Sequence, residues 1–147
     1  VIMIGLQASG KSSFCKNCLP ERLVRISLDE LNTRNKEEKL LIECISKGKS
    51  MVIDNTNPRR ADRQRYIPVL RENGYRIVGC FMQSRISECV RRNKSRLEED
   101  RVPDKAIAAT YNKLELPKYS EGFDALYFIR LSNGDFIIEK WEEEDAV

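Results

Sequence analysis

Apolar residues fall in short runs, each stopped by glycine, proline or a polar cluster, and the runs alternate with stretches whose apolar positions repeat at helical spacing. Val1–Ile4 reads as a buried strand, and the helix from Lys11 to about Leu19 that follows it stops at Pro20. Leu23–Ser27 reads as a second strand. Lys36–Lys47 places Leu40, Leu41, Cys44 and Ile45 on one helical face and ends at Gly48. Met51–Ile53 is a third strand that leads into Asp54. Asn57 as N-cap and Pro58 at the first helical position then open a helix to about Asn73, in which Pro68 should force a kink or break. Tyr75–Met82 reads as a fourth strand, Ser84 to about Glu98 as a helix, and Val102-Pro103-Asp104 as the start of another that ends before Pro117. Ala125–Leu131 and Phe136–Trp141 alternate around Ser132-Asn133-Gly134-Asp135, which signals a hairpin centred on Asn-Gly.

Strands alternating with helices predict an α/β fold, with a mostly parallel central sheet between two helical layers and an antiparallel hairpin at its end. A chain of 147 residues fits one domain, residues 1–147. Directly after the first strand comes Gly5-Leu6-Gln7-Ala8-Ser9-Gly10-Lys11-Ser12, a GxxxxGKS phosphate-binding loop in the strand-to-helix context such a loop needs. Gly5 and Gly10 reach backbone angles that a Cβ forbids, so successive N–H groups turn inward to form an anion nest. Residues Gly5 to Ser13 are thus the expected nucleoside-triphosphate site. Lys11 adds a positive charge, Ser12 offers a hydroxyl to Mg²⁺, and the helix start presents the positive end of its dipole.

In sheets of this kind ligands sit at the carboxyl ends of the strands, so the residues just past each strand matter most. Strand two delivers Asp29, and strand three delivers Asp54 with Asn55, Thr56 and Asn57. With no histidine in the chain, any general base is a carboxylate, and Asp29 is the candidate for taking a proton from an acceptor hydroxyl. Asp54 fits a magnesium-orienting role through Ser12. Each also has a plainer reading: Asp29 as a helix N-cap and Asp54 as a turn carboxylate. Arg92 and Arg96, four apart on a basic helix, can close over transferring phosphates from a lid at about residues 84–104, although charge runs of this sort are often only solvated faces.

The overall charge of +3 conceals a gradient, because residues 59–102 hold 12 basic and 6 acidic side chains whereas residues 103–147 hold 5 and 10. A basic middle draws polyanions such as nucleic-acid ends, while the acidic stretch from Glu142 to Asp145 reads as a solubilising end. At 41% hydrophobic and 33% charged residues, with apolar runs only a few residues long, no membrane span is expected. The chain enters the phosphate-loop strand at once, leaving no signal peptide in the sequence given. The five cysteines are odd in number and sit mostly in element interiors, so a reducing intracellular location, cytoplasmic or nuclear, is expected. Cys15 and Cys18 spell CxxC without a second pair or a histidine, which favours plain thiols over a zinc or redox site.

Four segments together resemble the kinase domain of polynucleotide 5′-hydroxyl kinases, within the adenylate-kinase-like P-loop kinases. They are the phosphate loop, Ser27-Leu28-Asp29, Ile53-Asp54-Asn55-Thr56-Asn57-Pro58, and Arg91-Arg92-Asn93-Lys94-Ser95-Arg96 with Val102-Pro103-Asp104, covering roughly residues 1–115. The resemblance implies an ATP-dependent, magnesium-dependent transfer to the 5′-hydroxyl of a DNA or RNA end. It further implies that Lys11 and Ser12 bind ATP phosphates and magnesium, Asp29 activates the hydroxyl, Asp54 and Thr56 line the acceptor side, and Arg92 and Arg96 reach the donor phosphates. Some members carry an arginine three residues beyond the base to hold the acceptor's 3′ phosphate; here Asn32 stands there and Arg34 follows two further on. No DxDxT phosphatase motif is present, so the likeness covers only the kinase half of bifunctional end-healing enzymes. A small-molecule alcohol as acceptor, or a regulatory nucleotide-binding module, are the alternatives the residues leave open.

Overall fold

The computed structural model describes residues 1–143. Strands β1 (Ile2–Ile4), β2 (Val24–Ile26), β3 (Met51–Ile53), β4 (Val78–Met82), β5 (Ala125–Ser132) and β6 (Asp135–Lys140) form one sheet in the order β2-β3-β1-β4-β5-β6. The first five are parallel, and β6 returns antiparallel to β5. Asn133 and Gly134 take positive φ at the hairpin tip, as the Asn-Gly signal requires.

The three-residue strands β1 and β3 are apolar throughout because both faces are covered, and alternate residues go to opposite layers. Met3, Val52, Cys80, Met82 and Ile129 face helix α1 (Lys11–Cys18) around Phe14. Ile2, Ile4, Ile26, Ile53, Phe81 and Leu126 pack on the other side against Leu41 and Cys44 of α3 (Arg34–Ser46) and Ile67 and Leu70 of α5 (Ile67–Glu72). A smaller cluster of Leu6, Cys89 and Ile107 docks α6 (Ile86–Lys94) and α7 (Asp104–Lys113) onto the phosphate loop. The expected three-layer α/β sandwich is what forms.

The layers approach closely at Gly79. A Cβ there would come 2.5 Å from Leu126 Cδ2 and 2.8 Å from Phe123 Cε1, both on buried side chains. Gly79→Ala should therefore cost ~1–3 kcal/mol through overpacking, seen as a lower urea midpoint with an unchanged slope.

Several boundaries differ from the sequence reading for identifiable reasons. A short helix α2 (Leu28–Leu31) follows β2 directly, and α3 starts two residues earlier than expected because Thr33 Oγ1 caps it, accepting the Lys36 N–H at 3.2 Å. The helix expected from Pro58 to Asn73 is two pieces, α4 (Arg60–Arg63) and α5. Pro68 has no N–H to continue the first piece and sits in the opening turn of the second. Asn57 is not its N-cap; it takes φ 44° and its side chain donates to the Met3 carbonyl at 2.8 Å. Arg59 holds the cap position, and Asp62 accepts its N–H at 3.0 Å. The lid helix is also shorter, because the Asn93 carboxamide donates to the Val102 carbonyl (2.6 Å) and accepts its N–H (3.1 Å), turning the chain back after Lys94. Arg96 consequently lies beyond α6, not on a shared face of one continuous helix with Arg92. Glu143 accepts the Tyr119 N–H at 3.0 Å, and the rest of the acidic end, Glu144 and Asp145, lies outside the described residues.

Candidate active site

The phosphate loop leaves β1 at Gly5, where a side chain is sterically barred: a Cβ would sit 2.9 Å from Ser9 Oγ and 3.0 Å from Met82 Cβ. Ala8 and Gly10 take positive φ, which turns the backbone N–H groups inward. Gly5 N–H donates to Thr56 O, Leu6 N–H to Ser84 Oγ and Ser9 N–H to Leu6 O. The N–H groups of Gln7, Ala8, Gly10, Lys11, Ser12 and Ser13 find no acceptor among the described residues. Such an array of donors ahead of a helix N-terminus is an anion cradle. It is braced from outside by Gln7, whose side chain donates to Thr110 Oγ1 of α7 at 3.0 Å.

Lys11 is buried and folds back on the loop, its Nζ donating to Gly5 O (3.0 Å) and Leu6 O (2.6 Å). Burial depresses its pKa to about 8, partly opposed by the charges of Asp54 and Asp29 and reinforced by that of Arg96. The charges of Asp54, Arg96 and Asp29 thus all bear on the lysine. Because the unfolded lysine titrates near 10.5, the unfolded chain holds a proton that the folded one lacks between about pH 8 and 10.5. The free fold should gain stability as pH rises through that window. A bound phosphate restores the ammonium, so binding should take up a proton near pH 8.5 and weaken by roughly tenfold per pH unit above the lysine's pKa. Calorimetry in buffers of different ionisation heat measures this, and binding without proton uptake at pH 8.5 would contradict it.

Ser12 Oγ donates to Asp54 Oδ2 at 3.0 Å, so the hydroxyl and a buried carboxylate stand together at the end of the cradle. Among the described residues no cluster of three or more His, Cys, Asp or Glu side chains could hold a metal. Magnesium takes one or two hard protein oxygens and completes its shell with phosphates and water, so Ser12 Oγ and the Asp54 carboxylate are the groups that could hold it. Arg25, overlooked in the sequence, joins this pair: Nε donates to Asp54 Oδ2 at 2.8 Å and Nη2 to Ser12 Oγ at 3.1 Å.

On the β2 side, Asp29 lies in the first turn of α2 with an exposed carboxylate that has no hydrogen-bond partner among the described residues. Ser27, not Asp29, occupies the N-cap position. Asn55 fixes that turn, its Oδ1 accepting the Leu28 N–H at 2.9 Å. Its Nδ2 donates to Glu37 Oε2 at 2.7 Å. Glu37 is buried, and its Oε1 accepts from Tyr66 Oη (2.9 Å) and from Arg34 Nη1 (2.9 Å). Burial, with the negative charge of Glu37, pushes the Tyr66 hydroxyl up to about 12, so it remains a donor at any working pH. Arg34 is thereby held by Glu37 and Tyr66 with much of its guanidinium open to solvent. Glu37 and Tyr66 carry no local motif; only a charged residue inside the apolar face of α3 could have flagged the first.

From α6, Arg92 reaches the loop itself, donating to Ala8 O at 3.2 Å and pairing with Glu88 Oε2 at 3.2 Å. Arg96 is partly buried and donates to Asp100 O at 3.5 Å. The cysteines stand apart from this chemistry: all five are free, and burial pushes the Cys15 and Cys80 thiols up to about 12. No described helix is long and apolar enough to cross a membrane.

A family model described as AAA domain matches residues 1–117. The chain is 35% identical over 133 residues to a protein of Acanthamoeba polyphaga mimivirus named putative bifunctional polynucleotide phosphatase/kinase, which covers 86% of this chain and 32% of the relative. To the bifunctional polynucleotide phosphatase/kinase of Schizosaccharomyces pombe it is 30% identical over 127 residues, covering 84% of this chain and 31% of that protein. The chain thus spans about a third of the length of these relatives. Among solved structures, Chaetomium thermophilum Kti12 in complex with ADP-AlF3 superposes with a TM-score of 0.62 at 15% identity, over 88% of this chain and 87% of that one, a likeness of fold.

Proposed function

The chain belongs to the AAA domain family of P-loop kinases, and from that premise we propose that it transfers the γ-phosphoryl group of ATP to the 5′-hydroxyl of a DNA or RNA end. The observation that carries this reading is the cradle of unpaired loop N–H groups that ends on the Ser12–Asp54 pair, with Arg92 of α6 donating to the loop at Ala8 O. The names of the two relatives, each a polynucleotide phosphatase/kinase, support the acceptor class.

In this reading the N–H groups of the loop and Lys11 hold the β- and γ-phosphates, and Arg92 and Arg96 neutralise charge spread over the transferring group. Asp29 accepts the hydroxyl proton as the new O–P bond forms and the bond from the β–γ bridging oxygen breaks. Magnesium, held through Ser12 and oriented by Asp54, supplies further charge neutralisation when bound. Asn55 and Thr56 line the acceptor side. Arg34, pre-oriented by Glu37 and Tyr66, is placed to take a phosphate of the acceptor strand.

Salt dependence tests the acceptor. If about three arginine–phosphate contacts hold a single strand, KM for a 5′-hydroxyl oligonucleotide should rise roughly tenfold to twentyfold between 50 and 200 mM salt. KM for a small alcohol should hardly move, so a salt-independent acceptor would transfer the assignment to a small-molecule kinase.

A further inference from the structure

One charged side chain at the phosphate end of the site has no task in the transfer just described. Arg25, on β2, lays its guanidinium across three groups: Nε on Asp54 Oδ2 (2.8 Å), Nη2 on Ser12 Oγ (3.1 Å) and Nη1 paired with Glu30. Two of these partners are the oxygens that the site offers to magnesium. The third belongs to α2, next in sequence to Asp29.

We infer that Arg25 is an exchangeable counter-ion, which neutralises Asp54 and hydrogen-bonds to Ser12 in the free protein and is released toward Glu30 when a magnesium–nucleotide complex binds. The inference rests on the kinase reading above. Its physical basis is that Arg25 holds both oxygens a metal would need, with Nε on Asp54 Oδ2 and Nη2 on one of the two lone pairs of Ser12 Oγ, so a bound dication would share each oxygen with a guanidinium. A dication and a guanidinium within a few ångströms of one another also repel strongly where the Asp54 side chain, 1% exposed, keeps water out. The Arg25 side chain is one-third exposed and Glu30 more so, which leaves the guanidinium room to move and a carboxylate to keep. Because Glu30 and Asp29 share one helical turn, the exchange ties metal loading to the element that carries the candidate base.

A purely structural role gives the opposite sign. Were Arg25 present only to orient Asp54, its removal would weaken metal binding; as a counter-ion, its removal strengthens it. The test titrates Mg²⁺ into the full chain at saturating ADP and reads the thermal midpoint, with Mn²⁺ binding by electron paramagnetic resonance as a second readout. Arg25→Gln should lower the half-saturating metal concentration roughly fivefold to tenfold. Glu30→Gln, which removes the release partner, should raise it about threefold. The double variant should match Arg25→Gln. An unchanged or higher half-saturating concentration in Arg25→Gln overturns the inference, and should that variant fail to fold, an unchanged value in Glu30→Gln does so. If the wild-type chain shows no metal-dependent response with ADP at all, the kinase reading itself falls and the inference with it.

Discussion

Asp29→Asn should reduce phosphate transfer to a hydroxyl acceptor by about a thousandfold while leaving the ATP KM within about twofold. The carboxylate has no protein partner among the described residues, so its loss breaks no hydrogen bond of the fold. The turn that carries it stays anchored through Ser27 and the Asn55 contact to Leu28. Asparagine keeps the shape and removes the proton acceptor, which confines the loss to the chemical step. Single-turnover rates of the wild-type chain and the variant measure it. Retention of full activity would remove Asp29 as the base.

The largest effect on stability should come from Glu121→Gln. Arg63 is fully buried, and its Nε and Nη2 donate to Glu121 Oε1 and Oε2 at 2.7 and 3.0 Å. Its Nη1 donates to the carbonyls of Asn57 and Pro58 at 3.0 and 3.1 Å. Glu121 in turn accepts the Lys118 N–H at 2.8 Å. Neutralising the carboxylate leaves a guanidinium in the interior without its counter-charge, which costs ~3–5 kcal/mol. For a domain of this size that lowers the melting temperature by roughly 10 °C. The turn that Arg63 ties down follows directly on Asp54-Asn55-Thr56, so loosening should also raise the acceptor KM. A double change, Arg63→Met with Glu121→Leu, removes both charges and should recover most of the stability. If Glu121→Gln melts within about 2 °C of wild type, the pair is not the anchor its burial indicates.

What was legible in the sequence follows from how locally each feature is encoded. The phosphate loop spells itself out in eight residues, and Asp29 and Asp54 stand where an open α/β sheet presents its ligands. The Asn-Gly hairpin announces its own turn. The groups that hold the candidate site in shape were not legible, because each takes its meaning from a distant partner. Arg25 pairs with Asp54, Glu37 with Asn55 and Tyr66, and Arg63 with Glu121, 58 positions away. Glu37 and Arg63 sit in strings of charge, Lys36-Glu37-Glu38-Lys39 and Arg59 to Arg65, in which nothing local marks one member for burial. Folding buries one member of each string. The lid was legible as a basic helix, but its length was not, since the Asn93 clamp on Val102 overrides helix propensity beyond Lys94. Arg92 thus reaches the phosphate loop from the helix, whereas Arg96 stands in the turn that follows and donates to Asp100 O.

The destination of the γ-phosphate separates an end-phosphorylating kinase from every other nucleotide-binding module. Incubation of the chain with γ-labelled ATP, magnesium and paired oligonucleotides differing only in a 5′-hydroxyl or a 5′-phosphate should place label on the hydroxyl end alone, and Lys11→Met should abolish it. Label on neither oligonucleotide, with ATP either intact or slowly hydrolysed, would contradict the assignment of an end-phosphorylating kinase.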